Sequence, residues 1–258
     1  TAGLFWAFPF VVHWSGLLRI DLLALAFSLG GLYALVCAPE GWAGLFTGTA
    51  LLAAAAYTRQ SYALAAPFAA FVWLWAERGP RRALTLAALV GGLGAVVFLA
   101  LNAATRGGFF FNIVTANVNE FGMERLRWNL KQFWDAAPWL TLLGAGMAIG
   151  LPIARFKGWT AAVPYALGSA LTALTIGKIG SNVNYLLELC AALSLMAGLA
   201  VAWSRVARSG KTARWFVVLL LVALGWQAQH MLAVSESDYV PRTTSRWDAL
   251  EELRALDA

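Results

Sequence analysis

What most constrains this chain is a train of nine apolar runs separated by short polar breaks, near residues 1 to 18, 21 to 37, 42 to 57, 61 to 76, 83 to 104, 136 to 154, 159 to 177, 185 to 203 and 215 to 234. Several fall a little short of the ~20 residues that cross hydrocarbon as a helix, so tilt or local thinning of the bilayer is expected for them. Composition agrees: 60% of the 258 residues are hydrophobic and 12% are charged, about half the charged share of a soluble domain. A chain with so little polar surface needs lipid as its solvent. The fold class expected is therefore all-α, a polytopic transmembrane helix bundle of about nine spans over residues 1–234. Many of the 13 Trp flank the apolar runs, where an indole sits at headgroup level. Cys37 and Cys190 both lie inside apolar runs and read as two buried thiols rather than a disulfide.

The charges set the orientation. Arg78, Arg81, Arg82, Arg155, Lys157, Arg205, Arg208, Lys211 and Arg214 fall on one side, with Glu40 and Glu77. The other ten of the 19 Lys and Arg share the opposite side with eleven of the 13 Asp and Glu. Raw counts barely discriminate, but the first side packs its bases into short loops, where the positive-inside rule operates. That side is read as cytoplasmic. No nucleic-acid partner is expected; the partner of this surface is the bilayer.

Two outer segments are longer than turns. Within 105–135, Met123, Leu126, Leu130, Phe133 and Trp134 recur at helical spacing opposite Glu124, Arg125, Arg127 and Lys131, the pattern of an amphipathic helix lying in the interface or of a plain connecting helix. Residues 235–258 are polar and read as the start of an extracytoplasmic segment. With no initial Met, and an end inside a helical pattern, the chain reads as an internal piece of a longer protein.

Several chemistries find no support. His13 and His230 have no partners at metal-ligand spacing. Ser209-Gly210-Lys211-Thr212 resembles the end of a phosphate-binding loop, but Arg205 stands where that motif needs its first glycine. The pairs Gly44/Gly48 and Gly146/Gly150 read as helix-packing positions.

Three tight outer junctions are polar: Arg19-Ile20-Asp21, Thr58-Arg59-Gln60-Ser61-Tyr62, and Lys178-Ile179-Gly180-Ser181-Asn182-Val183-Asn184-Tyr185. In the last, Ser181, Asn184, Tyr185 and Glu188 share one face of an α-helix. Glu188 falls a turn inside its span, where an unpaired carboxylate costs ~2.5 to 3.5 kcal/mol, so it should face the bundle interior or a wet cavity. One reading has Arg19, Arg59 and Lys178 snorkelling and pairing with Asp21 and Glu188. The other takes the excess of cations and the neutral hydrogen-bonding side chains as a site for an anionic ligand with hydroxyls, such as a phosphate-linked sugar.

The successions Arg19-Ile20-Asp21-Leu22-Leu23-Ala24-Leu25, Tyr57 to Pro67, and Lys178 to Glu188 resemble bacterial multi-pass glycosyltransferases of the family 39 kind, the membrane-embedded class of the protein mannosyltransferases and lipid A aminoarabinose transferases. The resemblance implies a GT-C-like fold, a polyprenyl-phosphate sugar donor, a glycan, lipid or protein acceptor, and transfer on the outer face of the cell's inner (cytoplasmic) membrane. It leaves a divalent metal as an open requirement. By it Arg59 and Lys178 hold the donor phosphate, Asp21 and Glu188 orient or deprotonate acceptor hydroxyls directly or through another group, and Gln60, Asn182, Asn184 and Tyr185 read sugar hydroxyls. Arg19 pairs with Asp21 or joins the phosphate site. In that class the principal catalytic carboxylate follows the first span, so it is expected to lie upstream of Thr1. A multi-pass transporter or lipid flippase using the same cluster is the rival reading, against which stands the lack of an internal repeat.

Overall fold

The computed structural model describes all residues except 18, 38–40, 207–209 and 239–258, and their side chains except those of 210–213 and 236–238. The described chain is helical, without strands. Its α-helices are α1 (Ala2–Ala7), α2 (Pro9–Ser15), α3 (Asp21–Cys37), α4 (Trp42–Thr58), α5 (Ala65–Arg78), α6 (Pro80–Ala104), α7 (Gly108–Ile113), α8 (Met123–Ala136), α9 (Pro138–Ile153), α10 (Trp159–Leu174), α11 (Leu187–Val206) and α12 (Gly210–Asp238). Short 3₁₀ turns occupy Gln60–Ala63, Thr115–Asn117, Thr175–Gly177 and Val183–Leu186. Pro9, Pro80 and Pro138 each open a helix, where the missing N–H has no partner to lose.

Every one of the nine apolar runs is helical, but they are not equal. Four helical stretches are long and apolar enough to cross a membrane: Pro80–Ala104, Trp159–Gly177, Val183–Val206 and Arg214–Ser235. A fifth is added if α8 and α9, bent by 96° at Ala137, count as one span. These are features of a membrane protein. The expected span 1 to 18 is two short helices, because Phe8 is extended (φ −64°, ψ 128°) ahead of Pro9. The expected span 61 to 76 gives its first turn to the 3₁₀ segment Gln60–Ala63.

Burial sorts the long stretches into centre and rim. In their most apolar windows, 67% of Trp159–Gly177 and 61% of Val183–Val206 is buried, against 6% of Pro80–Ala104 and 17% of Arg214–Ser235. α10 and α11 are thus the axis of the bundle, while α6 and α12 turn apolar side chains such as Val96, Leu99, Leu219 and Val222 outward.

Small residues bring the inner helices close. A Cβ on Gly168 of α10 would stand 2.7 Å from Ala65 Cα of α5, so these backbones touch. Gly48 of α4 accommodates Leu35 of α3, as its spacing suggested. Gly146 and Gly150 have nothing within 4 Å; in α9 it is Gly144 that faces a neighbour, Leu193. The packing face of α9 is therefore offset from the one the Gly146/Gly150 spacing indicated.

Within the expected outer segment α8 is helical, and part of its expected apolar face turns inward. Leu126 packs against the core that holds Phe8, Phe10 and Leu140, and Phe133 is part of it, whereas Met123, expected on the same face, is exposed. Trp128 and Trp134 are exposed. At the far end from the polar junctions, Thr160 Oγ1 donates to Glu77 Oε1 at 3.1 Å and Arg82 Nη2 donates to the Gly41 carbonyl at 2.8 Å. The side chains of the Ser209 to Thr212 turn, and the segment 235–258 beyond Asp238, lie outside the described residues.

Candidate functional site

The three polar junctions meet at one end of the bundle, and Asp21 is the point at which they join. It is the first residue of α3 and is fully buried. Its carboxylate forms an ion pair with Arg59 from the second junction. It accepts Asn184 Nδ2 from the third at 3.0 Å, and Trp14 Nε1 from α2 at 2.6 Å. A buried carboxylate persists when its lone pairs are taken by donors and its charge by a cation, and both conditions hold here.

Arg59 reaches Asp21 because α4 stops one residue earlier. Its own N–H still bonds the Ala55 carbonyl at 2.9 Å, but its backbone is extended (φ −157°, ψ 123°) and throws the side chain across the helix end. The guanidinium lies 4.8 Å from the Tyr185 ring centroid, and Nε donates to Ser61 Oγ at 3.0 Å. Three elements therefore fix one cation.

The Lys178 junction is held by the long outer segment. Gly122 N–H donates to the Gly177 carbonyl and Ile179 N–H to that of Glu120, both at 2.9 Å, forming a bridge between Phe121 and Lys178. Arg125 Nη2 of α8 donates to the Ser181 carbonyl at 2.7 Å. Gly180 takes a positive φ of 84°, which lets the chain reverse. Asn182 Oδ1 then accepts the Val183 N–H at 2.7 Å and starts a 3₁₀ turn, so regular α-helix begins only at Leu187. That turn alters the α-helical register assumed for Ser181, Asn184, Tyr185 and Glu188. Ser181, Asn184 and Glu188 are buried, and Tyr185 is half-buried.

Between the second and third junctions opens a groove of about 530 Å³. Arg59 and Lys178 stand on its wall with Gln60, Asn117, Thr175 and Tyr185, and among the described residues none of the lining is a carboxylate. Gln60 Nε2 reaches the Ile113 carbonyl at 3.4 Å. Two cations, Arg59 held in place and Lys178 exposed, among neutral donors and acceptors suit an anion bearing hydroxyls.

Other candidates stand elsewhere. Arg19 pairs with neither Asp21 nor the groove; it lies over the Trp14 ring, 5.1 Å from the centroid, because Arg59 already occupies the carboxylate. Asn184 is behind the wall on Asp21, and Asn182 is spent on its cap. Asp21 and Glu188 do not line the groove, so neither is placed to deprotonate an acceptor bound there; Asp21 can act only through Arg59. Among the described residues no three His, Cys, Asp or Glu are grouped to hold a metal ion, and both Asp21 oxygens are engaged by protein donors.

Glu188 lies deeper. It is 2% exposed, and Oε1 accepts Ser28 Oγ of α3 at 3.1 Å. The Tyr62 and Tyr165 hydroxyls lie within electrostatic reach of its carboxylate. Sequence reasoning overlooked Trp14, Ser28 and Tyr165. Ser28 did leave a signal, a hydroxyl two turns beyond Asp21 on the same face of α3. Trp14 left none, since an indole beside an apolar run reads as an interfacial anchor. No protein-family model, no curated protein and no solved structure matches the chain.

Proposed function

We propose that the groove is the donor-phosphate site of a membrane glycosyltransferase, which moves a sugar from a polyprenyl-phosphate donor to an acceptor on the extracytoplasmic face of the cytoplasmic membrane. On this reading the helices form a GT-C-like bundle of about nine spans. The observation that carries it is the meeting of Arg59 and Lys178, from different junctions, on one groove wall that holds no carboxylate among the described residues. In such a transfer an acceptor oxygen attacks the anomeric carbon, the bond from that carbon to the phosphate oxygen breaks, and negative charge grows on the departing phosphate. Arg59 is already oriented by Asp21 and Tyr185 to meet that charge, so little reorganisation accompanies the step. Lys178, exposed and mobile about its stem, supplies the second positive charge. The acceptor proton passes to a base outside the groove's lining residues.

Lys178→Gln is the cleaner test, because Arg59 also holds Asp21. The full-length protein is incubated with radiolabelled polyprenyl-phosphate sugars. The substitution is expected to remove a charge-assisted contact worth about 1.5 to 3 kcal/mol, roughly a ten- to hundredfold loss in turnover or donor affinity, with folding retained. Label crossing the membrane without covalent transfer would favour a transporter, and an unaltered transfer rate would remove the groove from the mechanism.

A further inference from the structure

Beneath the groove, four described elements bring side-chain oxygens into the surroundings of the Glu188 carboxyl. Ser28 comes from α3, Tyr62 from the 3₁₀ turn after α4, Tyr165 from α10 and Glu188 from α11. Tyr62, Tyr165 and Glu188 are 1%, 0% and 2% exposed. The Tyr62 hydroxyl and Glu188 Oε2 have no hydrogen-bond partner among the described residues, and the Tyr165 hydroxyl has only that of Ser169, one turn on in its own helix, within reach. Asn184, one turn before Glu188, leaves Oδ1 unpartnered, and its donation from Nδ2 to Asp21 fixes which atom that is. Thr49 Oγ1 in α4 is the other buried side-chain atom in this condition among the described residues.

Three orphaned oxygens, with a Tyr165 hydroxyl met only from its own helix, need a common explanation, since buried polar atoms are normally satisfied. They do not bond one another, so moving a proton among them leaves the gaps unbridged. All are oxygens, the ligands preferred by hard cations. The charges are also unbalanced: Asp21 is matched by Arg59, while Glu188 has no cation within ion-pair distance among the described residues. A single carboxylate among neutral oxygens neutralises a monovalent ion and leaves a divalent one in excess.

We propose that this cluster of buried oxygens binds one monovalent hard cation of the size of Na⁺, held by Glu188 with the hydroxyls of Ser28, Tyr62 and Tyr165 and capped by Asn184 Oδ1. The site is separate from the groove, and it stands whether or not the groove binds a sugar phosphate. A bound ion ties α3, α10 and α11 together directly beneath Asp21, so occupancy would stiffen the floor on which Arg59 is set.

The purified full chain in detergent is unfolded thermally in NaCl, KCl and choline chloride at equal ionic strength. Expected is a saturable rise in the unfolding temperature with Na⁺ over choline, as for any ligand that binds only the folded state. Glu188→Gln should abolish it, and Tyr165→Phe should weaken the apparent Na⁺ affinity by about tenfold through loss of one ligand. If Glu188→Gln does not fold, Tyr165→Phe decides. Binding of radioactive ²²Na⁺ provides the direct readout. Equal unfolding temperatures in NaCl and choline chloride, or a sodium effect of the same size in the variants, would overturn the proposal.

Discussion

The layer behind the groove wall and the oxygen cluster beneath it each hold a buried acid, and the two acids are kept in opposite ways. Asp21 is saturated: an arginine balances its charge, and Asn184 and Trp14 donate to its oxygens. Glu188 has one hydroxyl donor on one oxygen and no partner on the other. The difference separates architecture from capacity. A saturated carboxylate has no valence left for a ligand and serves to aim Arg59, whereas an unsaturated one at the same end of the bundle leaves room for something the protein does not supply.

Isosteric neutralisation breaks the comparison at its stronger side first. Asp21→Asn keeps the shape but takes the counter-charge from Arg59, whose side chain is 18% exposed and only partly able to turn to water. A loss of about 3 kcal/mol is expected, the lower end for breaking a buried pair, read from detergent-denaturation midpoints. A change under about 1 kcal/mol would show that the ion pair contributes little. Trp14→Phe should follow, with about 1.5 kcal/mol for one hydrogen bond to a charged acceptor, while the aromatic body stays in the core. Because both changes act on one carboxylate, their effects in the double variant should sum to less than the two separate losses, and strict additivity would deny the coupling.

The same contrast explains what was legible beforehand. Apolar runs are long-range patterns, and all nine emerge as helices; their ends are local events, and Pro9 and the turn at Gln60 shorten two of them. Grouping Arg59, Asp21 and Lys178 needed only the layered order of the spans. Pairing them did not follow from it: the sequence offered Arg19 as the partner of Asp21 and gave Arg59 to the phosphate, and only the extended backbone at Arg59 and the indole of Trp14 decide for Arg59. The oxygen cluster was least visible. Tyr165 sits in an apolar stretch like any core aromatic, and only the close approach of α5 and α10 at Gly168 brings it near the face of α11 that carries Glu188.

The smallest effect is expected at Glu188, and it is the most discriminating. Glu188→Gln preserves an oxygen to accept Ser28 Oγ and removes a carboxyl that no described cationic side chain balances. In sodium-free choline buffer the stability should therefore change by less than about 1 kcal/mol, or rise, since relieving an uncompensated buried charge offsets the loss of any favourable contact. Asp21→Asn measured in the same buffer gives the scale. If Glu188→Gln falls as far as Asp21→Asn, the two acids are alike: Glu188 has a cationic partner in the folded chain, and the oxygen cluster holds an ordinary ion pair rather than a site for an ion. If it holds its stability without sodium and then fails to gain any when sodium is added, while the unaltered chain gains, the carboxylate is the ligand and the asymmetry between the layers is the basis of binding.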